Sequence, residues 1–340
     1  MASREAAFYE AIGGGPDVRC LLCPHYCIIK EGRAGFCRVR RNVGGTLMAT
    51  GYARCSSCAV DPIEKKPLYH FYPGSYILSV GTVGCNLGCR FCQNWQIAHT
   101  DAPTQDLPPV DLVRMAVEER AVEPRVIGIA YTYSEPLVWY EYVAECARAN
   151  RGYGLKTVLV TNGFVNPEPL RELLPAIDAV NVDVKSYTNE YYQRVCSGAL
   201  EPVLKTVEEA YRAGCHVEVT TLIVPGLNDS DEEMTRLSAW LASVGKEIPL
   251  HLSRYFPNYR MTLLPTPVET LRRLRDIAIK NLHYVYTGNV TGEDGQNTYC
   301  PACGMMLLER TGMTLRFSGI KDHACPGCGR PADIRGDVFS

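Results

Sequence analysis

Residues Tyr76–Ala98 read YILSVGTVGCNLGCRFCQNWQIA, a short apolar run followed by a glycine-punctuated loop that gathers Cys85, Cys89 and Cys92. The run, bounded by glycine, predicts a buried β-strand. The spacing Cys-x3-Cys-x2-Cys would also place three thiols on one helix face, where they would simply pack. Gly81, Gly84, Gly88 and Asn86 argue for the loop instead, because they weaken a helix at its start and suit a backbone curled around a cluster. Three thiolates hold three irons of a [4Fe–4S] cluster, whereas complete protein ligation takes four. One iron is then left for a ligand that is not protein, the arrangement of a reactive centre rather than a structural one. Zinc would call for histidine or carboxylate close by, and the loop has neither.

The strand opens a series. Further strand-like runs are RVIGIAYT, KTVLVTN, AVNVDVK, HVEVTTLIV, PLHLS and LHYVYTG, with helix-like stretches near 107–122, 136–151, 167–175, 200–213, 229–244 and 266–281. Such alternation implies parallel strands with right-handed crossovers. Six or seven units are too few for a complete eight-fold barrel, so the expected fold is α/β, a partial (β/α)6 TIM-like barrel. An open doubly wound sheet is the rival arrangement; in both, ligands meet the carboxyl ends of the strands. The expected domains are a Cys-rich N-terminal metal-binding unit with its linker (1–70), the barrel (71–290) and a C-terminal unit of zinc-ribbon or rubredoxin type (291–340).

With 46% hydrophobic residues, 21% charged residues and a net charge of −2, the 340-residue chain has no long-range field to attract a polyanion, so nucleic acid is not the expected partner. MASREAAFYE lacks a secretory pattern, and no apolar run reaches the roughly 18 residues that a bilayer span needs. A cytoplasmic protein is expected. In a reducing compartment, 16 cysteines point to metal rather than disulfides.

Cys300-x2-Cys303-x21-Cys325-x2-Cys328 pairs two glycine-flanked knuckles and describes a structural zinc site, with iron as the rival. Cys20-x2-Cys23-x3-Cys27-x9-Cys37 also offers four thiolates, for zinc or an auxiliary iron–sulfur cluster. Around it Arg19, Lys30, Arg33, Arg38, Arg40 and Arg41 face Glu31 alone, a local basic face. Cys55 and Cys58 read as unpaired thiols or a redox pair, and Cys146, Cys196 and Cys215 as buried packing residues. The segment VDPIEKKPLYHFYPGS is expected to order over the barrel mouth, where Lys65, Lys66 or His70 could meet substrate.

The three-cysteine loop, with Phe91 before its last cysteine and a strand before its first, resembles the signature of radical S-adenosylmethionine (SAM) enzymes. That resemblance implies an open iron that chelates SAM, which is cleaved reductively to methionine and a 5′-deoxyadenosyl radical; the radical then takes a hydrogen atom from substrate. YTYSEP resembles the Gly-Gly-Glu-Pro element that contacts the SAM amino group, with Tyr133 and Ser134 in place of the glycines and Glu135 retained. VTNGF and NVDVKS resemble segments of the pyruvate formate-lyase activating enzymes, which implies SAM contacts from Asn162, Asp183 and Lys185; His251 in HLSRYFP matches a ribose-contacting histidine. Where those enzymes carry an acidic residue of a monovalent-cation site, Val160 stands here. Along CLLCPHYC, VDPIEKKPLYHFYPGS, GCNLGCRFCQNWQIA, YTYSEP, HLSRYFP and YVYTGNV…NTYCPACG, the chain is similar to the radical SAM member of the AmmeMemoRadiSam group. This implies functional association with Memo-like and AMMECR1-like proteins and an external electron donor. The expected reaction is hydrogen-atom abstraction from a small molecule or peptide. The alternatives are generation of a glycyl radical on a partner protein and, without catalysis, a zinc-module binding adaptor.

Overall fold

The computed structural model describes residues 3–290 and 294–339. Its main sheet comprises β1 (Ser57–Pro62), β2 (Tyr76–Gly81), β3 (Val126–Tyr131), β4 (Lys156–Thr161), β5 (Ala179–Asp183), β6 (His216–Ile223), β7 (Leu250–Arg254) and β8 (Val285–Gly288). Neighbours follow chain order from β8 back to β1, and β2 to β8 are parallel. Runs such as Val126–Tyr131 are buried at every position, as a parallel strand covered on both faces requires. Helices α1 (Pro109–Val122), α2 (Tyr140–Gly152), α3 (Pro167–Leu173), α4 (Leu200–Arg212), α5 (Asp231–Val244) and α6 (Val268–Ala278) follow β2 to β7 in turn. In α4 the buried Leu200, Val203, Val207 and Ala210 recur at helical spacing and form the face turned to the sheet. Ser230 caps α5 by accepting from the Glu233 amide, and Asp231, Glu232 and Glu233 complement the helix dipole. Among the described residues no pairing joins β1 to β8, so the barrel is open, a partial (β/α)6 barrel with one strand added at each end.

The added β1 corrects the expected boundary at residue 70. It pairs antiparallel with β2, from Ser57 opposite Gly81 to Pro62 opposite Tyr76, and so belongs to the barrel sheet. The start placed at 291 for the C-terminal unit lies outside the described residues.

The segment after β1 also departs from expectation. Lys65 and Lys66 reach the barrel mouth, but the chain then descends into the lumen. Asn181 donates to the Pro67 carbonyl at 2.7 Å, the His70 amide donates to Glu218 at 2.7 Å, and Tyr69 packs against His251 and Tyr286. The physical reason is that an open barrel leaves inward polar groups which must be paired, and this strap supplies their partners. His70 is accordingly a lumen residue, bonded to Tyr286 and the Asp333 carbonyl rather than facing the mouth.

The two end units lie at opposite ends of the barrel. Strands Thr298–Tyr299, Met306–Thr311 and Thr314–Ser318 carry the C-terminal unit, whose Arg310 donates to the Tyr69 carbonyl and whose Arg335 donates to the His70 and Gly214 carbonyls. These contacts cover the end where the strands begin. The N-terminal unit sits where they finish: Asn166, just past β4, donates to the Leu22 carbonyl, and His25 bonds the Asn86 carbonyl at 2.8 Å. Among the described residues no helix is long and apolar enough to cross a membrane.

Candidate active site

A cavity of about 430 Å³ opens at the carboxyl ends of the strands. The loop after β2 contributes Cys85, Cys89 and Cys92, and the β3 and β4 ends contribute Tyr133, Ser134, Glu135 and Asn162. Asp183 and Lys185 come from the end of β5. These expected site residues therefore meet around one space. His251 does not: its imidazole is buried against Glu218 at 2.6 Å and among Tyr69 and Tyr286, below the cavity. The strap's Tyr69 and the buried Glu218 carboxylate occupy its surroundings.

The sulfurs are surrounded by donors. The Leu87 amide reaches Cys85 Sγ at 3.4 Å and the Asn162 side-chain amide reaches it at 3.5 Å. Burial and the neighbouring Cys89 push Cys92 up to about 11. The thiol of Cys196 donates to Cys89, which holds Cys89 below its ordinary value against the opposing effect of burial. Cys196 ends a π-helical turn (Tyr192–Cys196), an irregularity frequent at functional sites. Sequence reading placed it in the core; it is buried there, and its role beside Cys89 carries no local sequence signal.

Glu135 lines the cavity but spends most of its carboxylate on its own loop. Oε1 accepts from the Leu137 amide and Thr161 hydroxyl, and Oε2 from the Asn162 amide at 2.8 Å. Oε2, with a single partner, keeps capacity for a ligand. Burial pushes this carboxyl up to about 7 despite those three donors. Asp183 pairs with Lys185 at 2.5 Å. Burial works against the Lys185 ammonium, yet Asp183 and the Cys89 thiolate outweigh it and hold the group above the usual lysine range.

Tyr133 adopts φ 68°, the left-handed conformation natural to glycine. Its hydroxyl donates to Asp61 at 2.7 Å and its ring lies 4.9 Å from the Lys66 ammonium. Asp61 also accepts from Lys65 and Lys66, each at 2.7 Å. Asp61, at the end of β1, was not singled out from sequence because its partner Tyr133 lies far along the chain.

Comparison with known proteins decides the family. A protein of Methanocaldococcus jannaschii described as uncharacterized is 43% identical over 336 residues, spanning 97% of this chain and 99% of that one. The model of the radical SAM superfamily matches residues 79–238, which contain the cysteine loop and β2 to β6. The chain belongs to the radical SAM superfamily. The pyruvate formate-lyase 1-activating enzyme of Escherichia coli is 26% identical to this radical SAM chain over 175 residues, covering 51% of it and 71% of the relative. The crystal structure of a domain of the pyruvate-formate lyase-activating enzyme from Bacteroides vulgatus superposes with a TM-score of 0.43 at 18% identity, over 48% of this chain and 99% of that one.

The residues of the cavity fit the cluster and SAM that the family implies. Three soft sulfur ligands select iron–sulfur chemistry over hard cations. No fourth cysteine lines the cavity among the described residues, since Cys196 touches Cys89 from outside it. Ser134 Oγ is buried there without a hydrogen-bond partner among the described residues, an orphan that a polar ligand would satisfy.

At the far end, the sulfurs of Cys300 and Cys328, and of Cys303 and Cys325, are 3.6 Å apart, and all four lie within 4.8 Å of one another. A tetrahedral ion with metal–sulfur bonds of zinc length sets its ligands about 3.8 Å apart, so these four fit one metal ion. Cys55 is buried and donates to the Ser57 carbonyl, whereas Cys58 is exposed on β1. Cys146 and Cys215 are buried, as expected.

Proposed function

We propose that this radical SAM enzyme holds a [4Fe–4S] cluster on Cys85, Cys89 and Cys92, binds SAM at the open iron, and abstracts a hydrogen atom from a small-molecule or peptide substrate. The supporting observation is the meeting of those three sulfurs with Glu135, Asn162, Asp183 and Lys185 around one cavity that offers no fourth cysteine among the described residues. When bound, the reduced cluster would supply the electron that cleaves SAM to methionine and a 5′-deoxyadenosyl radical. The protein's part is to bind, orient and exclude water. Donors from Leu87, Asn162 and Cys196 spread the negative charge of the sulfurs, which eases reduction. Lys185 stays charged and offers a cation to a carboxylate; Asp183 and the free lone pair of Glu135 Oε2 offer acceptors to hydroxyl or ammonium groups.

Membership in an enzyme superfamily sets aside the adaptor alternative. Generation of a glycyl radical on a partner protein stays as the second reading, favoured by the similarity to the Escherichia coli activating enzyme. Placement in the AmmeMemoRadiSam group, with Memo-like and AMMECR1-like associates, an external electron donor and a cytoplasmic location, rests on the sequence motifs. We propose one structural metal ion at Cys300, Cys303, Cys325 and Cys328, zinc in the main reading and mononuclear iron as the rival that the same sulfur spacing admits. The test of the main reading is anaerobic reconstitution followed by reduction with SAM present. Release of 5′-deoxyadenosine is expected, and its absence from protein with a full cluster would refute the proposal.

A further inference from the structure

We propose that Lys65 and Lys66 form an anion subsite in the cavity, and that the substrate is a small organic acid whose carboxylate or phosphate docks there. As a substrate subsite it rests on the function proposed above; the binding of an anion there does not.

The assignment starts from a charge imbalance. Lys65 Nζ lies 2.7 Å from Asp61 Oδ1 and Lys66 Nζ lies 2.7 Å from Asp61 Oδ2, so two ammoniums share one carboxylate. Among the described residues neither has a second ion pair. Their chain neighbour Glu64 is engaged elsewhere, accepting from the Gly74 amide at 2.8 Å and lying 3.8 Å from Arg310. Asp61 is itself divided further, because the Tyr133 hydroxyl also donates to Oδ2 at 2.7 Å. The side chains of Asp61 and Lys66 are only 8% and 2% exposed. An excess positive charge in such a place is costly until an anion compensates it. Burial and the charge of Lys65 hold Lys66 below the usual lysine range despite Asp61, the direction that excess positive charge dictates.

The cavity gives the anion its approach. Both lysines line it, and each ammonium carries three N–H groups of which one goes to Asp61. The Tyr133 ring, 4.9 Å from Lys66 Nζ, closes one side of that group. Lys65, with its side chain 43% exposed, meets a ligand arriving from solvent. The other charged lining residues, Glu135, Asp183 and Lys185, are those offered to SAM above. Leu87, Phe91, Ala98 and Leu222 add an apolar lining, and apolar walls with a few convergent polar groups suit a small organic ligand. A volume of about 430 Å³, shared with SAM, keeps that ligand small.

Tyr133 ties this pair to the reacting centre. Its hydroxyl bonds Asp61, while its carbonyl accepts from the Asn94 side chain at 2.7 Å, just past Cys92. An acid anchored on the lysines is therefore held beside the cysteine loop. The lysines orient it and take no part in bond breaking.

The test is anaerobic calorimetric titration of the full, cluster-loaded chain with benzoate, phenyl phosphate and benzamide, the last keeping the ring without the charge. At least one anion should bind about tenfold tighter than benzamide, and the tighter of the two names the acid. Lys65→Ala should remove that advantage and Lys65→Arg should keep it; Lys66→Met repeats the test should Lys65→Ala fail to fold. No saturable binding of either anion, or an advantage that survives these substitutions, would overturn the subsite. The SAM-induced shift of the cluster's electron paramagnetic resonance signal should persist in Lys65→Ala; its loss would give the pair to SAM and overturn the proposal. Anion binding by loaded protein that releases no 5′-deoxyadenosine would sink the proposed function and leave the subsite, whereas release without anion binding would do the reverse.

Discussion

Tyr133 shows what a single residue must do to stand where the family's motif has glycine. A non-glycine residue in the left-handed region costs about 1–2 kcal/mol, and here the hydroxyl–Asp61 bond and the Lys66 contact offset it. Replacing Tyr133 by Phe should lower stability by about 1 kcal/mol in chemical denaturation. Asp61→Asn should cost more, about 3 kcal/mol, because Lys66 is 2% exposed and would be left as a buried charge without its carboxylate. A change in Asp61→Asn below about 0.5 kcal/mol would contradict that pairing. None of this was legible in YTYSEP, since residue type does not announce a positive φ and the partner lies across the fold. The cysteines were legible, because metal ligation fixes their spacing locally.

At the scale of elements, the loop after β2 and the strap after β1 are the decisive pieces. Gly84 has φ 89° and faces the Cys37 carbonyl, so Gly84→Ala should both strain the backbone and push the N-terminal unit from the loop. Reduced iron content at Cys85, Cys89 and Cys92 is the expected result; full loading at unchanged stability would contradict it. The strap makes stability depend on pH through Glu218. Burial raises this carboxyl, but donors from His216 and His251 outweigh burial and hold it below the usual carboxylate range. A depressed folded value means the stabilisation is complete above the unfolded value of about 4.3 and is lost as pH falls below it. Acid unfolding should therefore begin in that range, and Glu218→Gln should flatten the profile while lowering stability near neutrality. A Glu218→Gln profile as steep as that of the parent would contradict the assignment. The strand and helix runs were readable because parallel strands buried on both faces leave unbroken apolar stretches. The strap was not, because its partners Asn181, Glu218, His251 and Tyr286 lie on four different strands.

Across the whole molecule, the two cysteine-rich ends divide their work by position. The C-terminal unit grips the strap through Arg310 and Arg335 at the end remote from the cavity, so its metal should matter to stability and not to the chemistry. Cys303→Ser should release its metal and lower the melting temperature by several degrees, a few kcal/mol of a structural site. SAM binding to the radical-loop cluster should persist below the new transition; its loss there would place the ribbon in the active site. The partial barrel and the C-terminal cysteine cluster were readable from sequence, but the edge of the barrel sheet was not, because β1 joins it from within the N-terminal third. The central claim is that one iron at Cys85, Cys89 and Cys92 is open to SAM, and electron paramagnetic resonance of the reduced, anaerobically reconstituted protein, recorded before and after adding SAM, tests it most directly. A shift of the cluster signal on adding SAM, absent when the three cysteines are replaced by alanine, is predicted; a spectrum that SAM leaves unchanged would contradict it.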